Sequence, residues 1–453
     1  MGDVAASLLR KYAVPGPRYT SYPTVPCWER TPTEAAWVDH LRAAFAEDGD
    51  VRGAAMYVHI PFCHALCTYC GCNMRVTRNH ALVPPYVATL LREQTLLLSR
   101  LGRESVHLGE VHLGGGTPTY LHAEELDGLL AGLFSRATFT RDASLSIEAD
   151  PRTTTTAQLE VLRRHGFNRL SLGVQDFDPR VQDIVNRVQS EEQVRRVTDD
   201  ARALGFRSIS FDLIYGLPLQ TPDSIETTMD AVLSIKPERI AFYPYAPVPW
   251  IKPTQRRFTE ADLPEGDAKR ALQAAGRARL AAAGYVEIGM DHFALPSDDL
   301  VTALKRGTLH RNFMGWSPAP TGPLLGLGVS AIGDAGDAFA QNEKNQVHYE
   351  ERVARDELPI QRGHVLDDED RVLRRHLLRL MTARETSWDA PEDRTPYLDG
   401  VPARLAEMEA DGLVALNPTS VRVLPAGVPY LRNVCMAFDA RLARVARDVT
   451  SPR

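Results

Sequence analysis

The sequence lacks an excess of positive charge, a long apolar run and a recognisable leader, and each shortage excludes a class of protein. The formal net charge is −6, so there is no basic footprint for nucleic acid. The longest uncharged run, residues 312–333, holds three Pro and five Gly, which excludes a membrane helix there. The first residues, MGDVAASLLRKYAV, are too short and too charged for a signal peptide. We therefore expect a cytoplasmic protein without nucleic-acid or membrane partners.

Cysteine is also scarce, but its placement is informative. Four of the six cysteines fall within ten residues, and in a cytoplasmic protein such a cluster indicates metal binding or catalysis rather than disulfides. Cys63, Cys67 and Cys70 have the spacing C-x3-C-x2-C, and Cys72 follows two residues later. Three thiolates from one loop suit a [4Fe–4S] cluster that keeps one iron open. Zinc remains an alternative at this point because Cys72 would complete a four-ligand site.

The middle of the chain alternates short apolar strands with amphipathic helices. The 453 residues are enough for two or three domains with a large core. The predicted strands are MYVHI, EVHLGGGTPT, SLSIEADP, RLSLGVQDF, SISFDLIYGLP and RIAFYPYAP. Helix starts are indicated by Ser190 and Gln193 in a capping-box spacing, and by Thr221 before Pro222. Six βα units in a row predict an α/β fold with a parallel sheet, either a partial barrel or a doubly wound open sheet.

Unusual residues stand at the ends of all six predicted strands. They are Cys63, Gly114 to Thr117, Glu148, Gln175, Asp212, and Tyr245 with Ala246. In a barrel the carboxyl ends of the strands meet at one mouth, where the chemistry of such folds is located. The pattern therefore favours a single site at the mouth of a barrel.

The two ends of the chain depart from this repeat. Residues 1–35 include PGPRYTSYPT, whose prolines predict an extended arm that is either a surface tail or a segment reaching a site. Residues 36–365 are assigned to the barrel and its extension. Residues 366–453 are predicted to form a small, mainly helical domain of winged-helix type. A lid role is favoured over DNA binding because this region is not strongly basic.

Several motifs resemble those of a known family. The spacing C-x3-C-x2-C after a first barrel strand is similar to the signature of the radical S-adenosylmethionine (SAM) enzymes. The wider set resembles the oxygen-independent coproporphyrinogen III oxidases. It comprises GPRYTSYPT, YVHIPFC, CGCN, GGGTPTYL, IEADPR, NRLSLGVQDF, DLIYGLP, GMDHFA, HRNF and LGLGVSAI, from residue 16 to 333, with RNVCMAFD near the end.

The resemblance implies a fold and a reaction. The fold would be a partial (β/α)6 radical-SAM barrel with an extended N-terminal arm and a small winged-helix-like C-terminal domain. In this family a [4Fe–4S] cluster reduces SAM to give a 5′-deoxyadenosyl radical, which removes hydrogen from a substrate propionate. Loss of CO2 and one more electron leaves a vinyl group. Two such reactions convert coproporphyrinogen III to protoporphyrinogen IX in haem biosynthesis.

The resemblance also assigns the cofactor residues by their motif positions. Cys63, Cys67 and Cys70 are the implied cluster ligands. The implied SAM pocket comprises Tyr57, Gly115, Gly116, Thr117, Glu148, Gln175, Arg187, Asp212, Ala246 and Ile332. The residue types suit these roles, because glycines allow close approach of a ligand, arginine pairs with carboxylates and aspartate accepts from ribose hydroxyls.

Catalytic and substrate roles follow from the same comparison. Tyr57 and Cys72 are expected in the catalytic centre, with Arg18 and Arg311 holding the anionic tetrapyrrole, since arginine suits propionates. Arg18 would be joined by Tyr19 and Tyr22 of the arm.

A second SAM site is implied by Tyr69, Gly71, Cys72 and the position of Met314. The family often has glutamine at that position, and methionine cannot supply its amide. The chain also has Pro247 where a histidine often stands.

The expected partners are the substrate coproporphyrinogen III and an electron donor such as a flavodoxin or ferredoxin. The protein itself is expected to be a monomer. Three other functions remain open from the sequence. They are a haem chaperone of the same superfamily, a radical SAM enzyme for another tetrapyrrole, and a zinc-stabilised binding module. Cys72 and the tyrosine-rich arm favour the oxidase over the chaperone, which typically lacks both.

Overall fold

The computed structural model describes residues 7–450 apart from 9, 15 and 251, and it describes only the backbone of residues 48, 49 and 446–450. The first six residues of the predicted arm and the last three of the predicted C-terminal domain lie outside this range. In the described part of the chain, no helix is long and apolar enough to cross a membrane.

The strands and helices follow the predicted alternation through the middle of the chain. The strands are β1 (Ala54–Ile60), β2 (Phe62–Cys63), β3 (Arg75–Val76), β4 (Val106–Gly115), β5 (Ala137–Ala149), β6 (Arg169–Gln175), β7 (Ser208–Tyr215), β8 (Arg239–Pro244), β9 (Val286–Gly289), β10 (His292–Ala294), β11 (His310–Asn312), β12 (Gly315–Ser317), β13 (Leu324–Leu327), β14 (Ile332–Asp334), β15 (Ala338–Asn342), β16 (Ile360–Val365), β17 (Glu385–Ser387), β18 (Val414–Asn417) and β19 (Ser420–Val423). The main helices are α1 (Glu34–Ala44), α2 (Val83–Leu101), α3 (Ala123–Phe134), α4 (Thr156–Arg164), α5 (Pro179–Ile184), α6 (Glu191–Ala203), α7 (Pro222–Ile235), α8 (Gly266–Ala282), α9 (Asp299–Arg306), α10 (Gln346–Ala354), α11 (Asp368–Ala383), α12 (Val401–Ala410), α13 (Leu431–Ala437) and α14 (Ala440–Thr450).

Parallel strands form the centre of a twelve-stranded sheet. Its order is β16-β15-β14-β13-β1-β4-β5-β6-β7-β8-β10-β9, and the strands from β13 to β8 are parallel. Strands β1 and β4 to β8 follow one another in chain order, so right-handed crossovers place every intervening helix on the same face. This is the predicted partial barrel, and the doubly wound alternative is wrong. The seventh parallel strand, β13, was not predicted.

Local sequence signals start the helices where they were expected. Ser190 accepts a hydrogen bond from the backbone N–H of Gln193, whose side chain returns to the cap. Thr221 caps α7 in the same way, with Pro222 as the first helical residue. These caps satisfy backbone donors that the first turn of a helix leaves free.

Two large hydrophobic cores are present in the described chain, besides a small cluster around Val181, Leu217 and Tyr245. The larger lies between the parallel sheet and its helices. The second is built from α11 to α13, the three-stranded sheet β17-β19-β18 and the segment around β9 and α9. The predicted two-stranded wing is therefore present as β18 and β19, with β17 as a third strand. Tyr19 and Tyr22 of the arm are buried in this second core, so they join the beginning of the chain to its C-terminal part.

Candidate active site

A cavity of about 220 Å³ opens where the parallel strands end. It is lined by the cysteine loop, the glycine turn after β4 and polar residues at the ends of β5, β6 and β7. Of the residues predicted for the site, it brings together Cys63, Cys67, Tyr69, Cys70, Cys72, Gly115, Gly116, Thr117, Glu148, Gln175, Arg187 and Asp212. Most of the predicted cofactor residues therefore surround one cavity at the ends of the strands.

Hydrogen bonds from neighbouring elements fix the cysteine loop. The backbone N–H of Cys70 donates to the carbonyl of Cys67 at 3.0 Å, which closes a tight turn between these two thiols. Gln255 Nε2 donates to the Tyr69 carbonyl at 2.8 Å, and Lys252 Nζ donates to the Cys72 carbonyl at 2.9 Å. The segment after β8 therefore holds the far end of the loop in place.

The glycine turn passes too close to the loop for any side chain. A Cβ at Gly116 would lie 2.5 Å from the Pro61 carbonyl oxygen. Gly115 has φ +122°, a backbone conformation that other residues rarely adopt. Both glycines are required because the turn after β4 lies directly against the backbone that leads into Cys63.

Two arginines flank Cys67, and one aspartate holds both. Arg187 Nη1 lies 3.4 Å and Arg152 Nη2 3.8 Å from Cys67 Sγ. Asp150 forms ion pairs with Arg187 at 3.3 Å and with Arg152 at 2.6 Å. Asp150 and Arg152 were not among the residues predicted for the site. Their signal was available, because both lie in IEADPR directly after Glu148 at the end of a strand.

The thiols have different proton affinities. Burial raises the pKa of the Cys63 thiol to about 11. A hydrogen bond from the Cys72 thiol lowers the pKa of Cys70 to about 6, while the pKa of Cys72 itself is raised well above its usual value.

The thiols of Cys63, Cys67 and Cys70 line a cavity with room for a group much larger than one ion. Among the described residues, no three His, Cys, Asp or Glu side chains stand together as a ready site for a single metal ion. The sulfur donors and the adjacent guanidinium groups fit an anionic iron–sulfur cluster.

Two carboxylates complete the opposite wall of the cavity. Glu148 accepts from the Gly115 N–H at 3.2 Å and lies 3.4 Å from His112 Nε2. Burial alone would raise the pKa of Glu148, but His112 and the Gly115 N–H hold it below its usual value. Asp212 accepts from the Ser171 hydroxyl at 3.2 Å, and burial raises the pKa of Asp212 to about 7.

Four of the predicted cofactor residues are not among those that line this cavity, namely Tyr57, Gly71, Ala246 and Ile332. Tyr57 is on β1, where its hydroxyl lies 3.0 Å from His59 Nδ1 and its ring stacks on His112. Ile332 is buried on β14, and Ala246 is exposed just after β8. Gly71 is exposed within the cysteine loop, and none of these four residues forms part of the cavity wall.

The two arginines predicted to bind substrate lie together beyond β8. Arg18 Nη2 donates to the Pro244 carbonyl at 3.1 Å, and the guanidinium stacks on Tyr243. Arg311 is 7% exposed, stacks on Trp316 and donates to the Arg18 carbonyl at 3.4 Å. Neither has a carboxylate within 4 Å among the described residues. Burial lowers the pKa of Arg311 to about 10, which is the effect expected of a buried charge without a counter-ion.

The expectation that Tyr19 and Tyr22 reach the mouth was wrong. Both are at most 3% exposed, and the Tyr19 hydroxyl donates to Asp439 at 3.0 Å. They anchor the arm in the second core, and only Arg18 is directed to the end of β8. Met314 lines a second cavity of about 150 Å³, which shares Glu148 and Asp212 with the first.

Comparison with known proteins gives consistent similarities. Residues 57–232 match the family model of the radical SAM superfamily. The chain is 39% identical to the oxygen-independent coproporphyrinogen III oxidase of Pseudomonas aeruginosa, with 98% of this chain and 97% of that protein covered. The corresponding protein of Escherichia coli K12 is 39% identical with the same coverage.

A solved structure is also similar over most of its length. It is the Escherichia coli coproporphyrinogen III oxidase, described as a radical SAM enzyme, at 39% identity and a TM-score of 0.87. The alignment covers 93% of this chain and 97% of that one. The structural likeness therefore extends well beyond the residues that match the radical SAM family model.

Proposed function

The chain belongs to the oxygen-independent coproporphyrinogen III oxidases of the radical SAM superfamily, and on this premise we propose that it converts coproporphyrinogen III to protoporphyrinogen IX. The reaction is the oxidative decarboxylation of two propionate side chains to vinyl groups, a step of haem biosynthesis that needs no oxygen. The family predicted from the motifs is thereby confirmed.

One observation carries the proposal most directly. The C-x3-C-x2-C thiols, the glycine turn, Glu148, Arg187 and Asp212 surround a single cavity at the carboxyl ends of the parallel strands. Cys63, Cys67 and Cys70 would hold a [4Fe–4S] cluster, and SAM would lie beside it. When bound, the cluster would supply an electron to SAM, and SAM would supply the radical that removes hydrogen from the substrate.

The protein's own groups position the cofactor and keep its charges balanced. We assign Arg187 to the carboxylate of SAM, since its guanidinium lies at the cysteine loop and, among the described residues, Asp150 is the one carboxylate that pairs with it. Gly115 and Gly116 let the backbone approach the amino acid part of SAM. Asp212 would accept from the ribose hydroxyls. Tyr57 borders this region from β1, and the remaining implied contacts are Thr117, Glu148, Gln175, Ala246 and Ile332.

Arg18 and Arg311 are assigned to substrate propionates. Each is held by an aromatic face and a backbone carbonyl rather than by a carboxylate. Arg311 is buried, and a buried guanidinium that lacks a counter-ion is unfavourable in the free protein, so an anionic ligand that replaces the missing partner would bind favourably there.

Other roles rest on the same premise. We propose that residues 1–35 and 366–453 act as arm and lid of the catalytic barrel of residues 36–365. A flavodoxin or ferredoxin would supply electrons to a cytoplasmic monomer. Tyr69, Gly71 and Cys72 would contact a second SAM, in a site where Met314 lacks the amide of the usual glutamine.

An anaerobic assay tests the proposed function. Protein reconstituted with iron and sulfide is supplied with SAM, dithionite and coproporphyrinogen III, and CO2 and protoporphyrinogen IX are measured. We expect two CO2 for each product molecule. Iron-loaded, reducible protein that forms neither product would contradict the proposal, and retained haem without decarboxylation would support a haem chaperone instead.

A further inference from the structure

Four cations surround the outer end of the cysteine loop. Lys252 Nζ donates to the Cys72 carbonyl at 2.9 Å, and Asn73 Nδ2 donates to the Lys344 carbonyl at 3.1 Å. Arg75 follows on β3 and donates to Gln346, two residues beyond Lys344. The loop that lines the cofactor cavity is thus fastened on both sides to segments that carry positive charge.

The fourth cation, Arg362, approaches from β16 and stacks on Trp28 of the arm. Burial lowers the pKa of Lys344, and repulsion by Arg362 and Lys252 lowers it further. These two cations therefore lie close enough to Lys344 to interact with it. Three of the cations therefore lie close together, and β16 carries Arg362 beside Gln341, three residues before Lys344. Arg75 joins this group through its bond to Gln346.

These four cations have no counter-ions, in contrast to most arginines of the molecule. In the described chain, none of the four has a carboxylate within 4 Å. Arg362 donates instead to the side-chain oxygen of Gln341 and to the Val25 carbonyl. In a protein of net charge −6, a group of unpaired cations at the edge of a cofactor cavity indicates a site for an anion.

The size of the cavity identifies the part of the ligand that would reach them. The cluster and SAM would occupy much of this cavity of about 220 Å³, which leaves its edge for most of the tetrapyrrole. While one propionate reacts at the cavity, the macrocycle must lie across its edge. Of the propionates that are not reacting, those not held by Arg18 and Arg311 would then extend over the outer end of the cysteine loop.

We propose that Arg75, Lys252, Lys344 and Arg362 form a cationic rim that binds the non-reacting propionates, so that affinity depends on how many carboxylates the tetrapyrrole retains. This inference rests on the proposed function. The substrate has four carboxylates, the intermediate with one vinyl group has three and the product has two. Each decarboxylation removes one attraction to the rim. The intermediate, with three carboxylates, is therefore retained for its second turnover, whereas the product, with two, is released.

The test is a binding measurement that does not depend on turnover. The probes are two stable porphyrins, coproporphyrin III with four carboxylates and protoporphyrin IX with two, titrated anaerobically into cluster-loaded protein at low and high salt. We expect tighter binding of coproporphyrin, with a difference that shrinks as salt screens the charges. The variant Arg75→Gln/Lys344→Gln should weaken coproporphyrin binding by about tenfold and protoporphyrin binding by less.

Controls separate the rim from folding and from other partners. Arg141→Gln changes an exposed arginine on the first half of β5, at the opposite end of the barrel, and should alter neither affinity. Lys344→Arg keeps the charge and should retain coproporphyrin binding, and iron content reports the state of the cluster loop.

Equal affinity of the wild-type protein for both porphyrins, or an unaffected double variant, would overturn the proposal. A double variant that keeps porphyrin affinity but loses turnover with reduced flavodoxin, while turnover with dithionite persists, would also overturn it and would identify the rim as a surface for an acidic electron carrier. Failure of the wild-type protein to decarboxylate concerns the proposed function alone, because the titrations need no reaction.

Discussion

Replacing Arg311 with methionine should stabilise the free protein and weaken its hold on substrate. Arg311 is buried and lacks a counter-ion, and burial lowers its pKa to about 10. At ~1.4 kcal/mol for each pH unit, this lowering corresponds to about 3 kcal/mol against the charged form. Methionine fills a similar volume without that cost. Loss of the stacking on Trp316 offsets ~1 kcal/mol of this stabilisation. We therefore expect the free energy of unfolding to increase by about 2 kcal/mol.

Substrate binding should change in the opposite direction. A hydrogen bond to a charged group contributes about 2 kcal/mol, so the dissociation constant for coproporphyrinogen III should rise about thirtyfold in Arg311→Met. The stability difference is measured by urea unfolding of both proteins under matched anaerobic conditions. The affinity is measured by titration of the cluster-loaded protein with substrate, without SAM.

A second buried arginine provides the control. Arg239 is 5% exposed, and its Nε lies 2.8 Å from Asp298. Arg239→Met would leave that carboxylate buried and unpaired, which should destabilise the protein by about 3–5 kcal/mol. Two similar substitutions should thus have effects of opposite sign. If Arg311→Met destabilised the protein as Arg239→Met does, with substrate affinity unchanged, the guanidinium would be a structural group and the reasoning would be refuted.

Three further predictions concern the cofactor cavity. Cys67→Ala should abolish cluster binding, whereas Cys72→Ala should keep the cluster and lose activity. The iron and sulfide content of the two variants distinguishes these outcomes. Equal loss of iron in both variants would show that Cys72 is a ligand. Arg152→Gln should lower the midpoint potential of the cluster at unchanged iron content, because a cation beside Cys67 Sγ favours the more negative reduced state; an unchanged potential in an EPR-monitored titration would argue against this role. The pKa of Asp212 is raised to about 7, so its carboxylate is neutral below and charged above this pH, and SAM affinity measured by equilibrium dialysis should increase from about pH 6 to about pH 8. Asp212→Asn should remove that increase, and an identical pH profile in the variant would assign it to another group.

The barrel could be predicted from the sequence because its units repeat. Each strand is an apolar run followed by a helix with an apolar stripe, so six βα units were visible without knowledge of any contact. Strand β13 could not be predicted in this way, because Leu324–Leu327 is a short apolar run within a stretch rich in glycine and proline. Its pairing with β1 joins segments nearly 270 residues apart in the sequence, and no local pattern carries that information.

The site was predictable where a strand end fixes the direction of a side chain. Glu148 and Asp212 were found in this way, since residues at the ends of parallel strands share one edge of the sheet. Asp150 and Arg152 were missed because they follow the strand in a loop, where the sequence does not show which way a side chain points. Tyr19 was misplaced for a related reason, since a tyrosine in an arm suits a ligand site and a core equally well.

The bond between Tyr19 and Asp439 spans 420 residues, and this has a consequence for biosynthesis. On the ribosome the arm emerges long before α13, yet it cannot take its position until Asp439, which follows α13, has been made. The cysteine loop lies within the first 72 residues, so a nascent chain has the thiols of the cluster long before Arg18 is fixed over the mouth of the barrel. Assembly of the proposed substrate half of the site is therefore delayed until Asp439 has been translated, and a chain terminated before that residue would keep the proposed cluster loop without a fixed Arg18.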